Sequence, residues 1–244
     1  MSDKGREEEK PTTPFGHRAR AAVDVSASVL MALAAVSILW LNLGPSRHRQ
    51  AEAPLPREPV ALDGAQTFGS PVATVAIIEF SDFECPFCRA FVRDTFPALR
   101  SKYLDTGKVR LAFRYMPLES IHPLARETAE QSYCAGVAGR FWDFHDRIFS
   151  GQAPLTPSTL QDSLVALKLG GDQFGTCVAG PAKSQVDLDL RQAADLGVKG
   201  TPTFLIGTVN EGGRVLVTAR LSGAKPLIEF SQVLDNLLQS TRGG

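Results

Sequence analysis

Runs of apolar and polar residues change period several times along this chain, and each change marks an element. After Gly69-Ser70-Pro71, the stretch Val75 Ala76 Ile77 Ile78 Glu79 Phe80 is almost continuously apolar and β-prone, as in a strand covered on both faces. Phe91 to Leu104 shifts to helical spacing, with Pro97 as a kink or break and Gly107 as its end. Val109 to Tyr115 predicts a second strand, so strand, helix and strand follow in the order of a right-handed parallel crossover. Leu124 to Ile148, interrupted near Gly136 and Gly139, is mainly helical, as are Thr159 to Leu169 and most of Asp172 to Leu196. Thr203 to Thr208 and Arg214 to Leu221 flank a Gly-containing turn and predict an antiparallel hairpin. Pro226 to Gln239 predicts a closing helix that begins with a tolerated proline. The pattern is that of an α/β fold with a helical block, about residues 119–196, set between a βαβ half and a hairpin-plus-helix half. There is no internal repeat.

Val25 to Leu43 holds no charged residue and as a helix would extend about 29 Å, close to the ~30 Å hydrocarbon core of a bilayer. Residues 21–44 are therefore expected to form one transmembrane helix, with Trp40 at an interface and Gly44-Pro45 ending it. A cleaved signal peptide is the alternative. The apolar run exceeds the ~7 to 15 residues of a signal core, its leader is long and polar, and Pro54 follows the small-x-small triplet Ala51-Glu52-Ala53, so the retained anchor is the expectation. Residues 1–20 predict a disordered tail, and 45–59, with Pro45, Pro54, Pro56 and Pro59, a stiff spacer; the folded domain, 60–244, starts near Val60. Hydrophobic residues make up 43% of the 244, enough for a substantial core, and 26 basic residues balance 26 acidic ones with no dense basic run, which argues against a nucleic-acid partner.

Cys85-Pro86-Phe87-Cys88 lies between the first strand and the helix, where a redox dithiol would sit. A cysteine at a helix start is exposed to unpaired N–H groups and the positive end of the helix dipole, which favour thiolate over thiol. A thiolate attacks a disulfide to form a mixed disulfide, and a second thiol close by releases the partner. Half of a zinc site is the other use of such a motif, but the chain has no second Cys-x-x-C and no metal is expected. No cofactor is expected either. Cys134 and Cys177, in the inserted block, are read as a second disulfide, with two free buried thiols as the alternative. Such a dithiol is most useful outside the reducing cytosol; this places the N-terminus in the cytoplasm and the domain in the periplasm or outside, where the charges flanking the apolar segment leave orientation undecided.

Four ordered stretches, Ile78 to Cys88, Phe113 to Leu118, Phe141 to Asp146 and Gly197 to Phe204, resemble the DsbA-like thiol-disulfide oxidoreductases of bacteria, a thioredoxin-fold family with a helical insertion. The resemblance runs from about Val60 to the C-terminus and implies that Cys85 is an exposed attacking thiolate and Cys88 a more buried resolving thiol. It implies that Thr201-Pro202 is a cis-proline loop facing the dithiol, where a trans proline in a surface turn is the alternative, and that Pro86, Phe87, Thr201 and Pro202 meet the client. It also places Glu79 as a buried acid beneath Cys88, against the alternative of a strand-end glutamate in water. The chain departs from the strongly oxidising members in carrying Phe87 where they have histidine, so a less depressed Cys85 pKa and a more reducing potential are expected. Glu84, next to Cys85, is expected to oppose the thiolate if the two approach. His122, His145, Trp142 and Phe144 are assigned no catalytic role.

The implied activity is exchange of disulfides with exported proteins by a membrane-anchored domain served by a membrane or extracytoplasmic redox partner, in either direction. The rival from another class is a chaperone or client-binding module whose cysteines are structural.

Overall fold

The computed structural model describes residues 29–37, 53–151 and 154–241, in two units, Met1–Glu52 and Ala53–Gly244. In the first unit, residues 29–37 are helical and expose Val29, Leu30, Met31, Leu33 and Val36. They belong to the expected membrane helix. The rest of 21–44, the expected tail 1–20 and the spacer residues 45–52 lie outside the described residues. Among the described residues, no helix is long and apolar enough to cross a membrane.

The second unit is built on one five-stranded sheet: β1 Gln66–Gly69, β2 Val75–Ser81, β3 Val109–Tyr115, β4 Thr203–Val209 and β5 Val215–Ser222, in the order β1-β3-β2-β4-β5. The expected parallel pairing of β2 with β3 and the antiparallel β4-β5 hairpin are both present. Strand β1, antiparallel to β3, has no counterpart in the sequence reading; four half-buried residues are too few to show a period. Every residue of β2 is buried. Val75 and Ile77 pack with Phe91, Phe204 and Phe230, while Ala76, Ile78 and Phe80 pack on the opposite face with Ala193 and Val198.

Helix α1, Pro86–Asp94, starts at the dithiol and stops at Thr95, whose hydroxyl donates to the Lys225 carbonyl. Helix α2, Phe96–Leu99, restarts the chain with Pro97 in its first turn, where no N–H is missed, and runs on as a π-helical turn, Arg100–Leu104. The insertion comprises α3 Ala125–Val137, α4 Phe141–Ser150, α5 Pro157–Ala166, α6 Gly171–Cys177 and α7 Lys183–Asp195. Gly139, at φ +71°, makes the expected break between α3 and α4. The closing helix is α8, Leu227–Ser240.

Three devices hold the insertion. Phe83, from the dithiol loop, sits within ring contact of Phe113, Phe144 and Phe149, with centroids 5.5, 6.0 and 5.2 Å away, pairs worth about 0.5–1.5 kcal/mol each beyond their burial. The Arg89 guanidinium of α1 donates to the carbonyls of Phe149 and Gly151 at 2.5 and 2.7 Å, at the end of α4. Arg114 of β3 and Asp189 of α7 form a buried ion pair at 2.8 Å. Within the insertion, Cys134 of α3 and Cys177 of α6 are disulfide-bonded, 43 positions apart. Helix α6 has no fully buried residue and meets the core through the partly buried Phe174, so the crosslink adds to a thin contact; the chain-entropy model gives a loop of that length up to about 4 kcal/mol.

Residues 53–59, expected as spacer, lie against the domain. Arg220 donates to the Ala53 carbonyl at 3.0 Å, and Val60 exchanges backbone hydrogen bonds with Val215 of β5. The prolines keep this stretch extended, the conformation that a sheet edge accepts.

Candidate functional site

Cys85 is the capping residue of α1, in extended backbone geometry, and Pro86 opens the helix. No hydrogen bond caps the helix through the Cys85 sulfur, but the first-turn N–H groups of Phe87 and Cys88 lie near enough to favour its thiolate. Across from them the Thr201-Pro202 bond is cis. The loop is held by the N–H of Gly223 donating to the Pro202 carbonyl (2.8 Å) and the Thr203 hydroxyl donating to the Gly200 carbonyl (2.6 Å). The Cys85 thiol donates to the Thr201 carbonyl at 3.4 Å, across 116 positions of sequence. The cis-proline loop thus meets the dithiol through Thr201, with Cys88 buried in the same helical turn and Pro86 and Phe87 exposed.

Accessibility differs from the expectation. Cys85 is 3% exposed against 0% for Cys88, and the loop that touches its sulfur lies over it; Pro86 and Phe87, the latter at 63%, are the exposed members of the motif. The two sulfurs are distinguished by energetics. The Cys85 thiol is lowered to about 6, foremost by a hydrogen bond from the Cys88 thiol, then by the Thr201 hydroxyl and the N–H groups of Cys88 and Phe87, against burial. Burial and the Cys85 charge hold Cys88 well above the ordinary thiol range. Phe87 contributes a backbone N–H and no ionisable donor.

Thiolate absorbance is expected to titrate with a midpoint near pH 6, leaving Cys85 about nine-tenths ionised at pH 7. The sign follows from a depressed pKa: reactivity is present above the midpoint and lost as the pH falls through it. Thr201→Val, which removes the hydroxyl and keeps the carbonyl, should raise the midpoint by about 0.5 to 1 pH unit. An unmoved midpoint would remove Thr201 from the account.

Glu84 is engaged away from the Cys85 sulfur, so the approach on which its opposition to the thiolate depended is not made. Its carboxylate accepts the N–H of Leu124, the cap of α3, at 2.5 Å and so spends its charge at another helix start. Asp82, 2% exposed, accepts the N–H groups of Glu84 and Leu118 and pairs with His122 Nδ1, each at 2.8 Å. These two carboxylates strap residues 118–124 to the dithiol loop. The sequence reading passed over Asp82; an aspartate two positions before a backbone N–H in a tight loop was the available signal. Glu79 is 1% exposed, which removes the alternative of a glutamate in water, and burial pushes its carboxyl up to about 7, opposed by the Ser81 hydroxyl.

A family model described as Thioredoxin matches residues 63–214. The chain belongs to the thioredoxin family, in its DsbA-like branch. In this family member, the solved structures of similar shape include Wolbachia pipientis α-DsbA1, at 25% identity and a TM-score of 0.64 over 74% of this chain and 94% of that one. Another is oxidised BdbD from Bacillus subtilis, at 22% identity and a TM-score of 0.61 over 77% of this chain and all of that one. Disulfide bond formation protein D of Bacillus subtilis is 26% identical over 157 residues, 60% of this chain and 69% of that protein. The Na(+)/H(+) antiporter NhaA 3 of Salinispora tropica is 36% identical over 152 residues, 61% of this chain but 22% of the antiporter. The chain spans less than a third of the length of the antiporter relatives it matches.

Proposed function

We propose that this chain is a membrane-anchored, extracytoplasmic thiol-disulfide oxidoreductase that exchanges disulfides with exported proteins through Cys85 and Cys88. The observation that carries the reading is the geometry of two sulfurs on one helix start: Cys85 caps α1 with its thiol on the Thr201 carbonyl of the cis-proline loop, and Cys88 is buried in the same turn; the opposite displacement of the two thiols agrees with it. The relatives named for disulfide bond formation support it. The antiport activity named for other relatives, which this chain matches over a small share of their length, is not part of the proposal.

In the reductive direction, the Cys85 thiolate attacks one sulfur of a client disulfide, making a mixed disulfide and displacing the other client sulfur as thiolate. Cys88 then loses its proton and attacks the Cys85 sulfur; the Cys85–Cys88 bond forms, the second client sulfur leaves, and two electrons have passed from the dithiol to the client. Glu79 is the acceptor of the Cys88 proton, since a carboxyl near 7 is partly ionised at neutral pH. The oxidative direction is the reverse sequence on the same residues. Ionisation of Cys85 removes the S–H donor from the Thr201 carbonyl, which with the cis-proline loop is then available to pair with an extended client, alongside Pro86 and Phe87. The exposed apolar side chains of residues 29–37 and the uncharged run around them support tethering. The 43-residue crosslink of Cys134 and Cys177 serves structure.

Serine at both Cys85 and Cys88 tests the proposal on a disulfide-bonded peptide. Loss of exchange is expected; retained activity would favour the client-holding module instead.

A further inference from the structure

The mechanism above gives the Cys88 proton to Glu79, yet no hydrogen bond joins the two side chains. Glu79 and Ser81 are two apart on β2, so their side chains leave the same face of the sheet as Val75 and Ile77, the face against which Phe91 of α1 packs one turn on from Cys88. Both are 1% exposed. Oε1 of Glu79 and Oγ of Ser81 are buried and close a full-geometry hydrogen bond with no protein atom. The Ser81 hydroxyl nevertheless lies near enough to act on the Glu79 carboxyl on one side and on the Cys88 sulfur on the other. Buried polar groups without a protein partner are costly, about 1–3 kcal/mol each, and the rest of this strand is built of Val, Ala, Ile and Phe.

We propose that Ser81 relays the proton between Cys88 and Glu79, closing its two open contacts only while the mixed disulfide is resolved. The inference rests on the reading of Glu79 as the proton acceptor. In the step, the Cys88 S–H proton passes to the Ser81 oxygen as the Ser81 hydroxyl proton passes to the Glu79 carboxylate. The Cys88 sulfur attacks Cys85, the Cys85–Cys88 bond forms, and the bond from Cys85 to the client breaks with its electron pair leaving on the client thiolate. Run backwards, neutral Glu79 returns a proton through Ser81 to Cys88 as the dithiol opens. A hydroxyl suits this position because it donates and accepts at once and carries no charge to be buried. The titratable groups that face this path are Cys85, through its hydrogen bond and charge on Cys88, and Glu79 itself; Asp82 reaches Cys88 only through its backbone.

The test separates attack from resolution. Pre-formed mixed disulfide between Cys85 and a peptide thiol is followed as it resolves in the wild type, Ser81→Ala, Ser81→Thr, Glu79→Gln and the double variant Ser81→Ala with Glu79→Gln, while the thiolate titration of Cys85 monitors the attacking step. Expected are a resolution rate about tenfold lower in Ser81→Ala at pH 7, within the range of general acid–base contributions, recovery in Ser81→Thr, a double variant no slower than Glu79→Gln alone, and a Cys85 midpoint unchanged throughout. The Glu79 limb of the pH–rate profile should vanish in Ser81→Ala. Slow resolution in Glu79→Gln with normal resolution in Ser81→Ala overturns the relay and leaves Glu79 as a direct acceptor. Normal resolution in both overturns the Glu79 reading as well, and additive losses in the double variant overturn the relay in favour of two independent effects.

Discussion

Cys88→Ala should turn the protein from a catalyst into a trap. Incubated with a disulfide-bonded peptide, the variant accumulates a covalent adduct through Cys85 that survives alkylation and is released by dithiothreitol. Cys88 sits within the same first turn of α1, beside the sulfur it must attack, and well-oriented intramolecular groups reach effective molarities of ~10⁵ M or more. Without it, release falls to bulk thiol at millimolar concentration, so the adduct should last at least about a thousandfold longer. Cys85→Ser should form no adduct and catalyse nothing, since a serine hydroxyl stays protonated where the thiol at about 6 does not. An adduct that forms with Cys85→Ser, or fails to form with Cys88→Ala, would sink the assignment of attacking and resolving sulfur.

The second large effect is on stability. Asp189 is 1% exposed and serves three partners: Arg114 Nη1 (2.8 Å), the Tyr115 N–H (2.9 Å) and Gln185 Nε2 (2.8 Å). Burial raises its carboxyl even against the Arg114 charge, so desolvation offsets much of the attraction and the intact pair contributes little net. Removing one member is a different matter. Asp189→Ala leaves the Arg114 guanidinium buried without its carboxylate, a loss of about 3–5 kcal/mol in unfolding free energy by urea titration. Arg114→Met combined with Asp189→Leu should recover most of it, because the charge is then removed with its partner. A loss under about 1 kcal/mol for Asp189→Ala would mean that Arg114 reaches water, contrary to its 3% exposure.

These two results depend on different ranges of the chain. The dithiol was visible because its chemistry is local: Cys85, Pro86 and Cys88 fall within one helical turn, after an apolar strand that the structure buries at every residue. Ser81 was also within reach, as a second polar residue two positions from Glu79 on a strand whose period is two. Asp189 was not. Nothing in the polar helix Lys183–Asp195 marks one aspartate among several as the one that meets Arg114, 75 positions away.

The sequence alone determined the order of elements, the inserted helical block and the place of the reactive sulfur pair, because side-chain period and cap chemistry act over a few neighbouring residues. Only the tertiary structure decided that the Thr201 loop closes over Cys85, that Glu84 turns away to cap α3, and that β1 completes the sheet. Each of these joins groups from 40 to 116 positions apart, where the outcome depends on which surfaces the fold brings into contact and not on any pattern carried by the residues themselves.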